Sequence, residues 1–226
     1  MGPLTLAFDI FGTIIDVHGL TAALGRHVGD RAGAFSRLWR QKQLEYTFRR
    51  ALMQRYRNFD VCTREALAHT CQVFSLSLDR DQEAELLAGY LELPAFPDVS
   101  AGLTSLQREG RRLFAFSNGT SAAVTALLER AGVRHCFVDV VSCDEVRSFK
   151  PDPAVYRHFL RRAGAAAERS WLVSSNSFDC LGAISAGMRA AWVRRSRENA
   201  PDRWEIEPTA TIDSLAALAE VLPVQG

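Results

Sequence analysis

Apolar and polar positions alternate along the chain in blocks that predict strands followed by helices. Residues 4–8 form a short apolar run that ends in turn residues, a pattern typical of a strand buried on both faces. From residue 99 onward, strand-like segments at 112–116, 137–142, 170–174 and 190–194 alternate with helical segments at 99–108, 120–131, 152–163 and 177–186. Residues 209–222 predict a last short strand and a closing helix. This alternation predicts an α/β fold, a parallel sheet with helices on both faces.

The segment between residues 16 and 96 has a different pattern. It contains charged stretches rich in helix formers and no convincing strand. The predicted helices there cover 33–56, 63–74 and 78–93. Pro94 and Pro97 then interrupt the chain. We therefore expect an all-helical cap domain over residues 16–96, inserted into an α/β core domain that comprises residues 1–15 and 97–226.

Composition and charge narrow the classes of function. The chain has 226 residues, 47% of them apolar, and a net charge of +1, so we expect a folded protein with neither nucleic acid nor a membrane surface as partner. No window approaches about 18 uninterrupted apolar residues, and the chain enters a strand without a basic leader, so no membrane span or signal peptide is expected. The five cysteines form no CxxC pair, which predicts reduced thiols in a cytoplasmic protein.

Polar signatures follow four of the predicted strands. They are the loops at 9–13, 117–119, 150–152 and 174–179. Because the carboxyl ends of parallel strands share one edge of the sheet, we expect these loops to converge on one crevice. Each loop also has a purely structural interpretation: a capped strand end at Asp9, a turn at Ser117, a helix start at Lys150, and Asn176 or Ser177 as a helix cap. All four in this order favour a shared site.

The order of these residues, an aspartate, a serine, a lysine and an acidic loop, resembles the haloacid dehalogenase (HAD-like hydrolase) superfamily. Within it, the chain resembles the L-2-haloacid dehalogenases over nearly its whole length. The resemblance is carried by residues 38–47, 51–59, 117–119, 150–152 and 173–179. The core loops alone indicate the superfamily, whereas the run Arg-Gln-Lys-Gln-Leu-Glu-Tyr at 40–46 is more specific. The resemblance implies a HAD-like Rossmannoid parallel-sheet core with an inserted helical cap.

The resemblance also implies an activity, that of an (S)-2-haloacid dehalogenase, a hydrolase acting on carbon–halide bonds. Such an enzyme converts short-chain L-2-haloalkanoic acids to D-2-hydroxy acids with inversion and needs no metal or other cofactor. Asp9 would attack the halogen-bearing carbon and form an ester, which water then hydrolyses. The expected partners are the small 2-haloacid and water, and a homodimer is expected because the family often forms one.

The chemistry is assigned by this resemblance to a small set of polar residues. Lys150 would keep Asp9 ionised, because a neighbouring cation favours the charged form of a carboxylate. Asn176 and Asp179 would position Lys150 and the hydrolytic water, with Ser174 in support. The expected catalytic set is Asp9, Thr13, Arg40, Ser117, Lys150, Ser174, Asn176 and Asp179. The general base for ester hydrolysis is left open.

Other residues are expected to bind the substrate and the halide. Arg40 and Asn118 would receive the halide. Ser117 would bind the substrate carboxylate together with the backbone N–H groups of Ile10 and Phe11. The remaining expected contacts are Gln41, Leu44, Phe59, Tyr156 and Phe178. By composition alone Arg40 fits a solvated helix face and the apolar residues fit an ordinary core, so these roles depend on the resemblance.

Two departures from a phosphatase pattern favour halide displacement. A superfamily phosphatase normally carries a second aspartate two residues after the first, and Phe11 occupies that position here. The closing loop offers Ser174, Ser175 and Asn176, with only Asp179 acidic, whereas a magnesium site usually needs more charged oxygen ligands. A phosphatase with an altered first motif and a catalytically silent anion-binding protein are the open alternatives.

Overall fold

A six-stranded sheet lies at the centre of the computed structural model, which describes residues 4–197, 200–202 and 204–223. The strands are β1 (Thr5–Phe8), β2 (Arg112–Ser117), β3 (Asp139–Ser142), β4 (Ser170–Ser174), β5 (Arg189–Val193) and β6 (Ala210–Ile212). Their order across the sheet is β3-β2-β1-β4-β5-β6, and every neighbouring pair is parallel. The parallel α/β fold expected from the sequence is confirmed.

Strand β1 occupies the point at which the chain reverses its direction of travel through the sheet. Thr5 pairs with Arg112 of β2 on one side and with Ser170 of β4 on the other. The chain moves outward from β1 to β3, then returns to the far side of β1 and moves outward to β6. Open α/β sheets bind ligands outside the carboxyl ends of the strands at such a switch point. The loops after β1 and β4 therefore lie where a site is expected.

The segment between residues 16 and 96 is a helical insertion that follows β1. Its α-helices are α1 (Thr21–Val28), α2 (Ala32–Leu52), α3 (Phe59–Val73) and α4 (Arg80–Tyr90). The two ends of this helical insertion lie side by side, because the Asp16 N–H donates to the Pro94 carbonyl at 2.8 Å and the Phe96 N–H donates to the Ile14 carbonyl at 3.0 Å. The insertion is helical as expected, and its division from the core at residues 16 and 96 remains a prediction.

Helix boundaries in the insertion differ from those expected. The pattern missed α1, whose eight residues include Gly25, a poor helix former, and whose start has no side-chain cap. Helix α2 ends before the expected residue 56. Helix α3 begins at Phe59 rather than at Thr63, because the Asn58 side chain accepts a hydrogen bond from the Val61 N–H at 3.1 Å and caps the helix.

The helices that follow the insertion match the expected ones closely. In the described residues they are α5 (Val99–Arg108), α6 (Ser121–Arg130), α7 (Pro153–Ala163), α8 (Ser177–Ser185) and α9 (Leu218–Val221). Helix α6 begins where the Thr120 side chain accepts a hydrogen bond from the Ala123 N–H. Helix α7 begins where Asp152 accepts from the Ala154 N–H, with Pro153 in the first turn. Residue 152 therefore serves as a helix cap.

Two apolar clusters cover the two faces of the sheet, as alternation along β1 requires. Leu6 and Phe8 belong to one cluster and Ala7 to the other. The first cluster continues into the insertion and includes Phe11, Phe35, Trp39, Phe59 and Tyr90. The insertion is therefore packed on the core through apolar side chains. Within the described residues, no helix combines the length and the apolar character needed to cross a bilayer.

Candidate active site

Asp9 lies directly after β1, and its two carboxylate oxygens have different surroundings. Oδ2 accepts hydrogen bonds from Asn176 Nδ2 at 2.7 Å, Thr13 Oγ1 at 2.8 Å and Ser174 Oγ at 3.2 Å. Oδ1 has one partner in the described part of the chain, Lys150 Nζ at 3.2 Å. Three donors therefore fix Oδ2, while Oδ1 keeps lone pairs that can act on a ligand.

The Lys150 ammonium joins two buried carboxylates. Besides Asp9, its Nζ donates to Asp179 Oδ2 at 2.7 Å and to the Phe116 carbonyl at 2.9 Å. Burial alone would lower the pKa of Lys150, but Asp179 and Asp9 outweigh that effect and raise the pKa above its usual value. Lys150 is therefore a cation at neutral pH.

Asp179 is the second carboxylate of the cluster. Burial raises its pKa to about 6, although Lys150 favours its ionised form. Tyr156 Oη donates to Asp179 Oδ1 at 2.7 Å, and this hydrogen bond also favours the carboxylate. With both aspartates ionised, two carboxylates face one ammonium in a buried site. Among the described residues, no three His, Cys, Asp or Glu side chains come together as a metal-ligating group.

The loops after β1 and β4 are interlocked. Gly12 has a φ of +93°, which glycine adopts without strain, and this turn brings Thr13 against the second loop. Thr13 Oγ1 accepts from the Ser175 N–H at 2.8 Å, and Ser175 Oγ donates to the Gly12 carbonyl at 2.6 Å. The Asn176 side chain makes no capping bond to α8 and donates to Asp9 instead. This contact favours the interpretation of the loop as part of a site.

The loop after β2 is held beside the lysine. Asn118 Oδ1 accepts from the Lys150 N–H at 2.9 Å, so its NH₂ group remains as a donor for another partner. Ser117 is fully buried, and its Oγ accepts from the Gly119 N–H at 3.1 Å. This hydrogen bond fixes the Ser117 hydroxyl oxygen within the loop.

Two buried backbone donors lie immediately after Asp9. The N–H groups of Ile10 and Phe11 form no hydrogen bond within the described chain, although both residues are buried. Folded proteins rarely leave a buried N–H group unpaired. These two N–H groups are therefore donors that a bound anion can satisfy.

Arg40 reaches from α2 to the core. Its Nη2 donates to the Phe11 carbonyl at 3.0 Å, and the same carbonyl accepts from Asn176 Nδ2 at 3.2 Å. Its Nη1 donates to Gln43 Oε1 at 2.7 Å. Arg40 therefore contacts the loop that follows the central strand, which a solvated helix-surface arginine would not do.

The apolar side of this region is aromatic. The Phe11 ring lies 5.2 Å from the Phe59 ring and 5.7 Å from the Tyr90 ring. Phe178 packs against Phe48 with ring centres 4.9 Å apart. Three expected substrate contacts make no hydrogen bond or ring contact to Asp9, Lys150 or Asp179 among the described residues. Gln41 is exposed, and Leu44 and Phe178 are partly buried. Their roles stay predictions.

Sequence reasoning missed three side chains that hold the site together. Gln43 and Tyr90 lie behind Arg40, and helix periodicity alone gives no sign that a polar side chain is buried. Arg195 donates from Nε and Nη2 to the Thr13 carbonyl at 3.1 and 2.7 Å, and from Nη1 to both Asp98 oxygens at 2.8 Å. Arg195 could have been found from its position just after β5, because the other site residues also lie in loops that follow strands.

An open parallel sheet with a helical insertion and an Asp–Lys–Asp cluster at its switch point defines a Rossmann-like α/β protein with a carboxylate-centred site. The chain belongs to the haloacid dehalogenase-like hydrolases, whose family model matches residues 4–187. The family expected from the motifs is therefore confirmed.

The similarity to known proteins extends over nearly the whole chain. The (S)-2-haloacid dehalogenase of Pseudomonas sp. (strain YL) is 37% identical over 216 residues, which are 96% of this chain and 93% of that protein. A solved L-2-haloacid dehalogenase from Xanthobacter autotrophicus with chloropropionic acid covalently bound is 30% identical, with a TM-score of 0.91 over 97% of this chain and 98% of that one. A dehalogenase solved with an intermediate complex is also 30% identical, with a TM-score of 0.93 over 99% and 98% of the two chains.

Proposed function

We propose that this protein hydrolyses the carbon–halogen bond of short-chain L-2-haloalkanoic acids and releases D-2-hydroxy acids. The observation that carries the proposal is the asymmetry of the Asp9 carboxylate: among the described residues, three donors fix Oδ2 while Oδ1 meets only Lys150. A carboxylate held in this way has one oxygen oriented for attack. The similar dehalogenases, one of them solved with chloropropionic acid covalently bound, support the same class of substrate.

In the first step, Asp9 Oδ1 attacks the halogen-bearing carbon from the side opposite the halogen. A C–O ester bond forms, the carbon–halogen bond breaks, and the halide leaves with the bonding electron pair, so the configuration at carbon inverts. A departing halide needs no proton, which agrees with Phe11 in the place of the phosphatase acid. Alignment of the carboxylate with the carbon supplies about 7–11 kcal/mol of the barrier in favourable cases.

Two groups of donors orient the substrate in this proposal. The N–H groups of Ile10 and Phe11, which have no partner in the described part of the chain, bind the substrate carboxylate together with the Ser117 hydroxyl. Arg40 and the NH₂ group of Asn118 receive the halide as negative charge develops on it. Each group is already fixed by protein contacts before substrate arrives, so little reorganisation accompanies the reaction.

In the second step, water attacks the carbonyl carbon of the Asp9 ester. The bond between this carbon and the product oxygen breaks, and the 2-hydroxy acid leaves as the carboxylate is restored with one oxygen from water. Lys150 Nζ, which is 3.2 Å from Oδ1, stabilises the negative charge on the departing oxygen. Overall, the 2-haloacid and water give the 2-hydroxy acid, halide and one proton.

Halide release from separate L- and D-2-chloropropionate, with and without a metal chelator, tests the proposed reaction. We expect chelator-resistant release from the L-form and D-lactate as the product. Asp9→Asn should abolish release once slow deamidation is excluded. Asp213→Asn, at an exposed residue paired with Arg194, should leave it unchanged. Absence of release from both enantiomers contradicts the proposal, and phosphate esters with magnesium then test the phosphatase alternative.

A single turnover in ¹⁸O-labelled water, with enzyme in excess, tests the ester. We expect the label in Asp9 and unlabelled product, because the first product takes its new oxygen from the carboxylate. Label in the product of the first turnover would show that water attacks the substrate directly.

We also propose that the enzyme is metal-independent and works as a cytoplasmic homodimer, in line with the family resemblance and with the free state of all five cysteines. Sedimentation velocity over a range of concentrations measures the oligomeric state. A single species with the mass of one chain at every concentration would contradict the dimer.

A further inference from the structure

Gln43 is a buried amide in the helical insertion. It lies on α2, one turn after Arg40, and only 1% of it is exposed. Trp39 on the same helix and Phe59 on α3 are buried with it. Burying an amide costs free energy unless its donors and acceptors are satisfied, so the orientation of Gln43 is constrained by its partners.

The orientation of the Gln43 amide follows from the direction of the hydrogen bonds behind it. Thr63 Oγ1 donates its single proton to the Phe59 carbonyl at 2.9 Å. It can therefore only accept from Gln43, at 2.5 Å, which places the amide nitrogen toward Thr63. The amide oxygen must then point the other way.

The Gln43 amide oxygen accepts hydrogen bonds from two side chains. Arg40 Nη1 donates to it at 2.7 Å and Tyr90 Oη donates to it at 2.9 Å. Burial raises the pKa of Tyr90, so its hydroxyl stays a donor. Both lone pairs of the amide oxygen are thereby used, and neither the amide nor the guanidinium can turn without losing a bond.

The second anchor of Arg40 connects it to the nucleophile. Arg40 Nη2 donates to the Phe11 carbonyl, and Asn176 Nδ2 donates to that carbonyl and to Asp9 Oδ2. The guanidinium is therefore held at two nitrogens, one from within the insertion and one from the core. Its remaining N–H groups keep a fixed direction relative to the Asp9 carboxylate.

We propose that Gln43, oriented by Thr63 and Tyr90, is a positioning residue that fixes the Arg40 guanidinium for the departing halide. The inference rests on the proposed dehalogenation. Charge on the halide develops mainly as the carbon–halogen bond breaks, so a fixed donor stabilises the transition state more than the bound substrate. Loss of Gln43 therefore lowers kcat and changes KM little.

Gln43→Met tests the proposal, because methionine has a similar length and no hydrogen-bonding amide. We expect kcat for L-2-chloropropionate to fall about 10- to 100-fold, as loss of one hydrogen bond to a charged group implies, with KM changed less than about threefold. Thr63→Val should give a smaller fall of about three- to tenfold, since it removes only the group that orients the amide. The matched control is Thr70→Val, on α3 like Thr63. The buried Thr70 hydroxyl donates to the Ala66 carbonyl and makes no hydrogen bond to Gln43 or Arg40. Its kcat should stay within about twofold of the original.

A double-mutant cycle distinguishes positioning from a general structural role. If Gln43 acts through Arg40, Gln43→Met should have almost no further effect on kcat in the Arg40→Lys protein. An equal fall in both backgrounds would overturn the proposal.

A measurement without turnover separates this inference from the proposed function. In ¹⁵N-labelled protein, a guanidinium held at two nitrogens should give separate Nη proton resonances for Arg40, which Arg40→Lys identifies. These resonances should merge in Gln43→Met and stay separate in Thr70→Val. If they stay separate in Gln43→Met, the inference fails. If the unmutated protein releases no halide, the proposed function fails, and the resonances still show whether Gln43 holds Arg40.

Discussion

Tyr156 on α7 donates a hydrogen bond to Asp179 on α8, with 2.7 Å between Tyr156 Oη and Asp179 Oδ1. The two helices thus meet at the carboxylate that also holds Lys150. Asp179 must be ionised to pair with Lys150, and burial raises its pKa to about 6. The contact therefore connects helix packing to the protonation state of the site.

We expect kcat/KM to fall as the pH drops through about 6, because protonation of Asp179 removes a partner of Lys150. Tyr156→Phe removes a hydrogen bond that favours the ionised carboxylate. The pKa of Asp179 should then rise, and the acidic limb of the profile should move to higher pH. The measurement is kcat/KM against pH for both proteins, with Tyr46→Phe as the control that leaves the limb in place. A limb that moves to lower pH in Tyr156→Phe would contradict this explanation.

Gly182 makes room for this contact. A Cβ atom at residue 182 would lie 2.4 Å from Tyr156 Oη and 2.8 Å from two of its ring carbons. Gly182→Ala should therefore displace Tyr156 and reduce both kcat and the melting temperature, with a loss of about 1–3 kcal/mol in the free energy of unfolding. Gly25→Ala on α1 is the matched control, because a Cβ there meets no atom within 4 Å. That control should leave activity intact and stabilise the helix by about 0.5–1 kcal/mol. Equal stabilities of the two variants would show that residue 182 has space for a methyl group.

Thr13 controls the orientation of the Asp9 carboxylate. Its hydroxyl donates to Oδ2 at 2.8 Å and accepts from the Ser175 N–H at 2.8 Å. Thr13→Val keeps the shape but removes both bonds, so kcat should fall about 10- to 100-fold. Thr13→Ser keeps the hydroxyl and should stay within about threefold of the original. Steady-state halide release measures both, and an equal loss in the two variants would contradict the role given to the Thr13 hydroxyl.

Arg195 should matter for stability far more than its neighbour Arg194. The Arg195 side chain is 10% exposed and satisfies both Asp98 and the Thr13 carbonyl. Arg195→Met leaves these acceptors without their partner and should reduce the free energy of unfolding by about 2–3 kcal/mol. Arg194 is 42% exposed and pairs with Asp213, which is 70% exposed, so Arg194→Met should change stability little. Urea unfolding monitored by fluorescence compares the two, and similar midpoints would contradict the role given to Arg195.

The sequence could predict the strands and the site loops that follow them, because the strands are visible in the pattern of apolar residues. The loops containing Asp9, Asn118, Lys150 and Asn176 meet because each follows a parallel strand, and all such strands end at one edge. Family motifs added Arg40, which periodicity alone would assign to solvent. Its bond to the Phe11 carbonyl depends on how α2 packs on the core.

The parts that sequence could not predict depend on contacts between distant segments. Gln43 meets Tyr90 across 47 positions of chain, and Arg195 meets Thr13 across 182. Neither contact can be read from local sequence, because the periodicity of a segment indicates its own helix or strand and does not identify the distant residue that it contacts. Helix α1 was missed for a local reason, because Gly25 interrupts its run of helix formers and no capping side chain marks its start.

The buried cluster of two carboxylates and one ammonium changes its charge during the proposed reaction. In the resting protein, burial raises the pKa of Asp179, and repulsion from Asp9 raises it further. Once Asp9 is esterified it is neutral, and Asp179 alone faces Lys150 as a balanced ion pair. The pKa of Asp179 must then fall, so this carboxylate is most firmly ionised at the stage when water attacks. Formation of the ester thus prepares the site electrostatically for its own hydrolysis.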